Sequence, residues 1–242
     1  MNSKVDKYRM NTVSEIVETL QQAGNTEIAE HSGRFFKSGP GEYGEGDKFL
    51  GIRVPVVRQF AKQFKNAELN TLSALLDSEW HEVRLLALVI LSEQFKKAIP
   101  HSRKGIYDFY LAHTSRINNW DLVDCSAHII VGGYLADKDR DALYTLAASS
   151  SLWERRIAMM ATFTFIRAHQ FNDTLELAEL LLKDKEDLIH KMCGWMLREM
   201  GKRDVQQLKA FLDEHVKAMP RTMLRYAIEK LSKEERQDYL TR

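Results

Sequence analysis

The sequence predicts an all-α fold, a curved α-α superhelix (solenoid) built from stacked helix pairs. Apolar residues recur with helical spacing along almost the whole chain, as in EWHEVRLLALVILSEQF at 79–95. No segment shows sustained period-two alternation of β-branched residues, so no strand is predicted. Similar apolar helices also return roughly 30 to 40 residues apart, a spacing typical of helical-pair solenoids.

Helical periodicity defines the predicted elements in chain order. The third helix has Pro55 near its first turn, where the missing N–H has no intrahelical partner to lose. The predicted helices cover residues 5–22, 25–37, 56–64, 79–95, 103–113, 119–135, 139–148, 152–168, 172–183, 186–200, 204–213, 219–231 and 232–240.

Four of these helices follow one pattern. HEVRLLALVIL, WERRIAMMATF, IHKMCGWMLRE and MPRTMLRYAIEK each place a basic residue near the start of an apolar helix, namely Arg84, Arg156, Lys191 and Arg221. NNWDLVDCSAHIIV is a divergent copy between the first two. Stacked helix pairs form a concave surface, although a simple helical bundle remains an alternative architecture.

Composition indicates an ordinary globular protein. The 242 residues carry 35 basic and 34 acidic side chains, and we expect a single repeat domain over residues 1–242. A total charge of +1 neither suggests nor excludes a nucleic-acid partner. Cys125 and Cys193 are expected to be reduced core residues. The polar start of the chain and the lack of a long apolar run predict a cytoplasmic protein with no membrane span.

One segment interrupts the helical pattern. Ser38–Gly51 contains glycines at 39, 41, 44, 46 and 51, which predicts a long flexible loop. It lacks the GxxxxGK[ST] order and the preceding strand of a phosphate-binding loop. A disordered connector or a mobile loop that touches a ligand is the expected role.

The segment NNWDLVD at 118–124 holds the best candidates for chemistry. On a helix, Asp121 and Asp124 lie near one another, and Trp120 lies one turn from Asp124. Asn118 or Asn119 is suited to cap the helix N-terminus. Each residue also has an ordinary structural explanation, since acidic residues favour a first turn and a tryptophan often belongs to the core.

A second candidate region is GWMLRE at 194–199. A glycine inside a helix costs about 1 kcal/mol relative to alanine, so Gly194 predicts close helix packing beside the Trp195 ring. Arg198 shares a face with Trp195, and Arg156 begins another helix. These arginines form either a solvated face or a line of cations able to meet phosphates. The eight histidines show no metal-ligand spacing, so no metal site is predicted.

Three motifs in order, FLGIRVP at 49–55, WDLVD at 120–124 and GWMLRE at 194–199, resemble those of the AlkD-type DNA alkylation repair glycosylases. The resemblance spans roughly residues 5 to 235. It implies HEAT-like helical repeats and the excision of positively charged N3- and N7-alkylated purines from duplex DNA. It also implies that no metal or organic cofactor takes part.

The resemblance further implies a role for seven residues of this chain. Asp124 matches the catalytic aspartate, Trp120 and Trp195 match the paired tryptophans at the lesion, and Arg156 and Arg198 match the phosphate-contacting arginines. Phe35 and Arg53 match further positions that contact the lesion nucleotide. Phe35 departs from the tyrosine of some relatives, so a role that needs a hydroxyl is absent here.

Two other functions remain open at the level of sequence. A non-catalytic protein that recognises DNA structure needs the basic face but not Asp124. A protein–protein scaffold is the commonest use of helical repeats, and the near-neutral charge favours it. The motif set favours the glycosylase, acting on alkylated duplex DNA as a monomer.

Overall fold

The computed structural model of the chain describes residues 12–242, and these residues confirm the all-α fold class. The start of the first predicted helix, residues 5–11, lies outside the described part. Within residues 12–242 the structure contains no β-strand. It contains one isolated β-bridge, between Lys48 and Trp80. The chain divides into two compact units that meet in sequence at Ser126 and Ala127.

The first unit is organised around one long buried helix. Helix α5 is contacted by α3, α4, α6 and α7, and most of its residues are buried. The helices of this unit are α1 (Val13–Gln22), α2 (Thr26–Phe35), α3 (Val54–Gln63), α4 (Leu69–Leu76), α5 (His81–Lys97), α6 (Pro100–Ala112) and α7 (Trp120–Asp124), with a 3-10 turn at Thr114–Arg116.

The second unit has a regular order of packing. Helices α10, α12 and α14 pack one against the next, and α9, α11 and α13 lie alongside them. Its elements are a π-helix at His128–Gly132, α8 (Gly133–Leu135), α9 (Asp141–Ala147), α10 (Leu152–Arg167), α11 (Asn172–Leu180), a 3-10 turn at Leu181–Lys183, α12 (Asp187–Gly201), α13 (Val205–His215), α14 (Arg221–Ala227) and α15 (Lys233–Thr241).

A repeated hydrogen-bond pattern, which we call the helix-start clamp, precedes α5, α10 and α12. In each case the residue three positions before the helix accepts two hydrogen bonds. Its side-chain oxygen accepts one from the backbone N–H two positions later, and its backbone carbonyl accepts one from a basic side chain six positions later. The pairs are Ser78 with Arg84, Ser149 with Arg155, and Asp184 with His190.

The helix-start clamps recur after 71 and 35 residues, which correspond to two periods and one period of the predicted internal repeat. They also correct the alignment of the copies. The counterparts of Arg84 are Arg155 and His190, each one residue earlier than the predicted Arg156 and Lys191. Sequence patterns could not fix this register because α10 and α12 each have basic residues at both positions, Arg155 and Arg156 in α10 and His190 and Lys191 in α12.

The prediction and the structure differ at two places. Helix α4 was not predicted; it has eight residues, and three of its leucines, Leu72, Leu75 and Leu76, are buried. The predicted helix at 119–135 is wrong as a continuous element. Helix α7 ends at Asp124, where the Ser126 hydroxyl donates to the Leu122 carbonyl at 2.6 Å and competes with the helical N–H pattern. A π-helix follows, and its Gly132 lies directly against α10.

The glycine-rich loop is a built part of the first unit, so the expected disordered connector is wrong. The Glu82 carboxylate accepts the N–H groups of Leu50, Gly51 and Ile52 at 2.9, 2.8 and 3.1 Å. Gly51 has a φ of 81°, and a Cβ there would lie 2.0 Å from the Asn25 carbonyl oxygen. Only glycine fits this position, because α2 begins directly against the loop.

The predicted close packing at Gly194 is confirmed. A Cβ at this position would lie 2.5 Å from both the Met223 carbonyl oxygen and the Tyr226 Cβ on α14. The absence of a side chain therefore lets α12 and α14 approach closely beside Trp195.

We expect Gly194→Ala to destabilise the protein, because overpacking costs about 1 to 3 kcal/mol and exceeds the gain in helix propensity. Gly105→Ala is the matched control, since Gly105 is also inside a helix and an added Cβ there meets no atom within 4 Å. The control should raise the unfolding temperature through a gain of up to about 1 kcal/mol. Thermal unfolding of both variants measures the two shifts, and equal signs would contradict the packing argument.

Candidate functional site

The WDLVD motif forms the short helix α7, which starts at Trp120. Asn119, not Asn118, is its N-cap; the Asn119 side chain is fully buried and accepts the Trp120 N–H at 2.8 Å. This cap fixes where the helix begins. It therefore fixes the direction in which the two aspartates of the motif leave the backbone.

Trp120 belongs to a cluster of aromatic rings contributed by α2 and the glycine-rich loop. Phe36 stacks on Trp120 with ring centroids 5.2 Å apart, and Phe49 stacks on Phe36 at 5.4 Å. Phe35 meets Trp120 edge to face at 5.8 Å and is 56% exposed. The structure thus brings together the predicted pair Phe35 and Trp120, and presents Phe35 to solvent.

The two aspartates of the motif have different surroundings. The Asp121 carboxylate accepts a hydrogen bond from His81 Nε2 at 2.8 Å, and its side chain is 15% exposed. Asp124 is the last residue of α7 and is partly exposed. Asp121 is therefore held in an internal contact, and Asp124 lies at the partly exposed end of the same helix.

His81 connects Asp121 to a second carboxylate from the glycine-rich loop. His81 Nδ1 lies 3.2 Å from Asp47 Oδ2, and Arg84 Nη2 donates to Asp47 Oδ1 at 2.7 Å. The His81, Arg84 and Asp47 side chains are 2%, 2% and 5% exposed. With His81 protonated, the cluster holds two carboxylates and two cations and is neutral.

The charges in this cluster shift the affinity of its members for protons. Burial disfavours the charged imidazolium, but the charge and hydrogen bond of Asp121 and the hydrogen bond of Asp47 outweigh it and raise the pKa of His81 to about 9. Burial likewise opposes ionisation of Asp47, yet His81 and Arg84 hold the pKa of this carboxyl below its ordinary value. His81 is therefore a cation at neutral pH.

Arg53, predicted to contact the lesion nucleotide, is the exposed N-cap of α3. Its carbonyl accepts the N–H groups of Val56 and Val57 at 2.9 and 3.2 Å, so the backbone is held while the side chain extends into solvent. The residue follows directly after the loop segment that Glu82 binds.

Trp195 lies in the second unit on α12 and is partly exposed. Its ring is 6.5 Å from that of Phe163 on α10, and its indole N–H donates to the Glu199 carboxylate one turn further on. Phe163 in turn meets His128 edge to face at 5.6 Å. The ring of Trp195 thus has an aromatic neighbour, Phe163, within its own unit.

The two predicted phosphate-binding arginines both donate hydrogen bonds to other residues of the second unit. Arg156 is 5% exposed, and its Nη1 donates to the Leu188 carbonyl at 2.8 Å. Arg198 donates to the Glu229 carboxylate, and its guanidinium lies 5.9 Å from the centre of the Tyr226 ring. A phosphate at Arg198 must therefore compete with Glu229, and a phosphate role for either arginine stays a prediction.

Sequence reasoning missed Asp47, His81, Phe36 and Phe49. His81 and Asp121 are 40 positions apart and Asp47 is 34 positions from His81, so no local spacing joins them. The glycines of the loop predict its backbone flexibility, but they give no information about the contacts of the acidic and aromatic side chains that it carries.

The described residues give three further findings, on metal ligands, membrane spans and cysteines. Residues 12–242 contain no group of three or more His, Cys, Asp or Glu side chains arranged to hold a metal ion. Within that range, none of the helices combines the length and apolar character needed to cross a membrane. Cys193 is buried, which raises the pKa of its thiol, and Cys125 is partly exposed; neither forms a disulfide. The predicted core role is thus confirmed for Cys193.

Comparison with known proteins found a matching family and a similar solved structure. Residues 16–231 match the model of the family described as DNA alkylation repair enzyme. The structure is similar to that of a predicted DNA alkylation repair enzyme from Enterococcus faecalis, with a TM-score of 0.67 and 18% sequence identity over 87% of this chain and 97% of that chain. At this identity the likeness shows the fold. No curated protein matches the sequence.

Proposed function

The chain belongs to the DNA alkylation repair enzyme family, and from this premise we propose that it is a DNA glycosylase for positively charged N3- and N7-alkylated purines in duplex DNA. The observation that carries the proposal is the placement of the two aspartates of WDLVD. His81 holds Asp121, and Asp124 is a partly exposed carboxylate at the end of the same helix, one turn from Trp120.

The chemistry requires only one carboxylate at the reacting sugar. An N3- or N7-alkylpurine already carries positive charge and is a good leaving group, so the enzyme need not protonate the base. The barrier lies in the positive charge that develops on the deoxyribose, which a fixed carboxylate stabilises electrostatically. In our proposal the Asp124 carboxylate lies beside C1′ and orients or deprotonates the attacking water.

The aromatic residues supply the second part of the proposal. Trp120 and Trp195 would present their rings to the cationic nucleotide, an interaction worth about 0.5 to 2 kcal/mol for each ring. Phe36 stacks on Trp120, and Phe163 contacts Trp195, so both rings are partly preorganised. Exposed Phe35 adds an apolar surface next to Trp120. We propose that the protein acts as a monomer and without an organic cofactor.

The direct test is release of N7-methylguanine from a methylated duplex by the wild-type protein, measured against spontaneous depurination of the same DNA. Enzyme-dependent release is the expected result. Binding of the duplex without release would instead favour a protein that recognises DNA structure, and neither binding nor release would favour a protein scaffold.

Binding to undamaged duplex should depend steeply on salt, because phosphate contacts release counterions. Each contact contributes a slope of about −0.9 in a plot of log affinity against log salt. We expect Arg198→Ala to reduce the magnitude of the slope by about 1. Lys96→Ala is the control, because Lys96 pairs with Glu93 three residues away on exposed α5 surface. Fluorescence anisotropy at several salt concentrations measures the slopes, and an unchanged slope for Arg198→Ala would remove Arg198 from the interface.

A further inference from the structure

The glycine-rich loop is joined to the candidate site by a buried chain of polar contacts. This series of side-chain contacts leads from Asp47 in the loop to His81 at the start of α5, and from His81 to Asp121 on α7. Gly44 adds a second connection, because a Cβ there would lie 3.3 Å from the Asn119 amide nitrogen at the N-cap of α7. The loop therefore lies beside the N-cap of the helix that carries Trp120 and Asp124, and it is linked to the acidic first turn of that helix through His81.

We propose that His81 is a positioning residue for the glycosylase reaction: clamped by Asp47 from the glycine-rich loop, it holds Asp121 and so fixes the orientation of α7, with Trp120 and Asp124. This inference rests on the proposed function. It assigns a role to the loop and to the first aspartate of WDLVD, neither of which touches the reacting sugar in the proposed mechanism.

Three observations support the proposal. Helix α7 has only five residues, too short to hold its own geometry without tertiary contacts. The imidazole has carboxylates on both ring nitrogens, so its orientation is fixed from two sides. The ring also packs against Phe36 and Phe49, each with its centroid 4.9 Å away, and Phe36 is the ring that stacks on Trp120.

The same geometry makes the contacts of His81 with Asp47 and Asp121 depend on pH. The charged groups that face His81 are Asp121 from α7, Asp47 from the loop and Arg84 from its own helix. In the unfolded chain His81 titrates near its ordinary value of 6.5, and in the folded protein near 9. Its stabilising contribution is therefore complete below about pH 6.5 and is lost as the pH rises through about 9.

The test compares three variants with the wild type in single-turnover release of N7-methylguanine and in affinity for undamaged duplex. His81→Gln removes the charge and one of the two hydrogen bonds. Asp47→Asn acts from the loop side and serves as a milder second variant. Glu82→Gln is the matched control, because Glu82 is the next residue, is buried, and binds the loop at Leu50–Ile52 without a hydrogen bond to α7.

A displacement of about 1 Å in a catalytic group costs on the order of 100-fold in rate, so partial loosening of α7 should cost about tenfold. We expect His81→Gln to slow excision by about this factor, with duplex affinity changed by less than about twofold. Asp47→Asn should shift the rate in the same direction, and Glu82→Gln should lower the unfolding temperature but leave the rate near that of the wild type. Between pH 6.5 and 9.5, the wild-type rate should fall towards that of His81→Gln as His81 loses its proton near pH 9.

Wild-type excision by His81→Gln would overturn the proposal, and so would a parallel loss of rate in Glu82→Gln, which would indicate general loosening of the loop. Hydrogen exchange of residues 118–126 tests the positioning role without catalysis. Exchange should be faster in His81→Gln and unchanged in Glu82→Gln. If the wild type releases no base, the glycosylase proposal fails, while the exchange result still decides whether His81 holds α7.

Discussion

Asp124→Asn should slow excision of N7-methylguanine severely, while the protein still folds and binds duplex DNA. The amide is nearly isosteric with the carboxylate but carries no charge, so it can neither stabilise the cationic sugar nor accept a proton from water. Removal of one preorganised electrostatic group typically costs about 100- to 1,000-fold in rate, and we expect a loss at the upper end of this range.

The control for this experiment is a measurement of the stability of the Asp124→Asn variant. Asp124 is partly exposed at the end of α7, so its substitution should change the unfolding temperature little. Single-turnover kinetics, duplex affinity and thermal unfolding are measured on the same preparation. Undiminished excision by Asp124→Asn would remove the residue from catalysis, and a matching loss of fold and activity would give it a structural role instead.

The second large effect is expected for Trp195→Ala. Loss of a desolvated cation–π contact worth up to about 2 kcal/mol slows excision by roughly 30-fold. Affinity for undamaged duplex should fall much less, because no cationic base or sugar is present in that complex. Trp195 is partly exposed and its indole N–H binds Glu199 within the same helix, so the side chain is not simply core.

Trp195→Phe provides the conservative comparison for this position. A phenylalanine keeps a π face but loses the indole N–H that binds Glu199, so excision should recover most of the way towards the wild-type rate. Equal losses of excision and duplex binding in Trp195→Ala, with no recovery in Trp195→Phe, would indicate that the residue only packs against Phe163.

The sequence predicted those features that depend on local spacing. Helical periodicity located most helices of residues 12–242, and a glycine at 194 predicted the close approach that the structure contains at α14. It did not predict α4, whose helix depends on tertiary burial of its leucines. The break after Asp124 was missed because no proline or glycine marks it in the sequence; the structure has a hydrogen bond there from the Ser126 hydroxyl to the Leu122 carbonyl.

The candidate site was predictable only in part for the same reason. Trp120 and Asp124 share a motif and can be identified together. The partner of Asp121 cannot, because His81 lies 40 positions away and is brought there by the packing of α5 against α7. A histidine outside any metal-ligand spacing gave no sign that it binds two carboxylates.

The helix-start clamps have a consequence for how this fold can change. Each clamp closes within seven consecutive residues, so the beginning of each of these helices is specified by its own short stretch of chain. In repeat architectures each unit contacts chiefly its neighbours, and stability is close to a sum of unit and interface contributions. A duplicated period would therefore include the residues that start its helix, and deletion of a whole period would remove them together with that helix. The lineage of this chain could lengthen or shorten by single modules without rewriting the modules on either side.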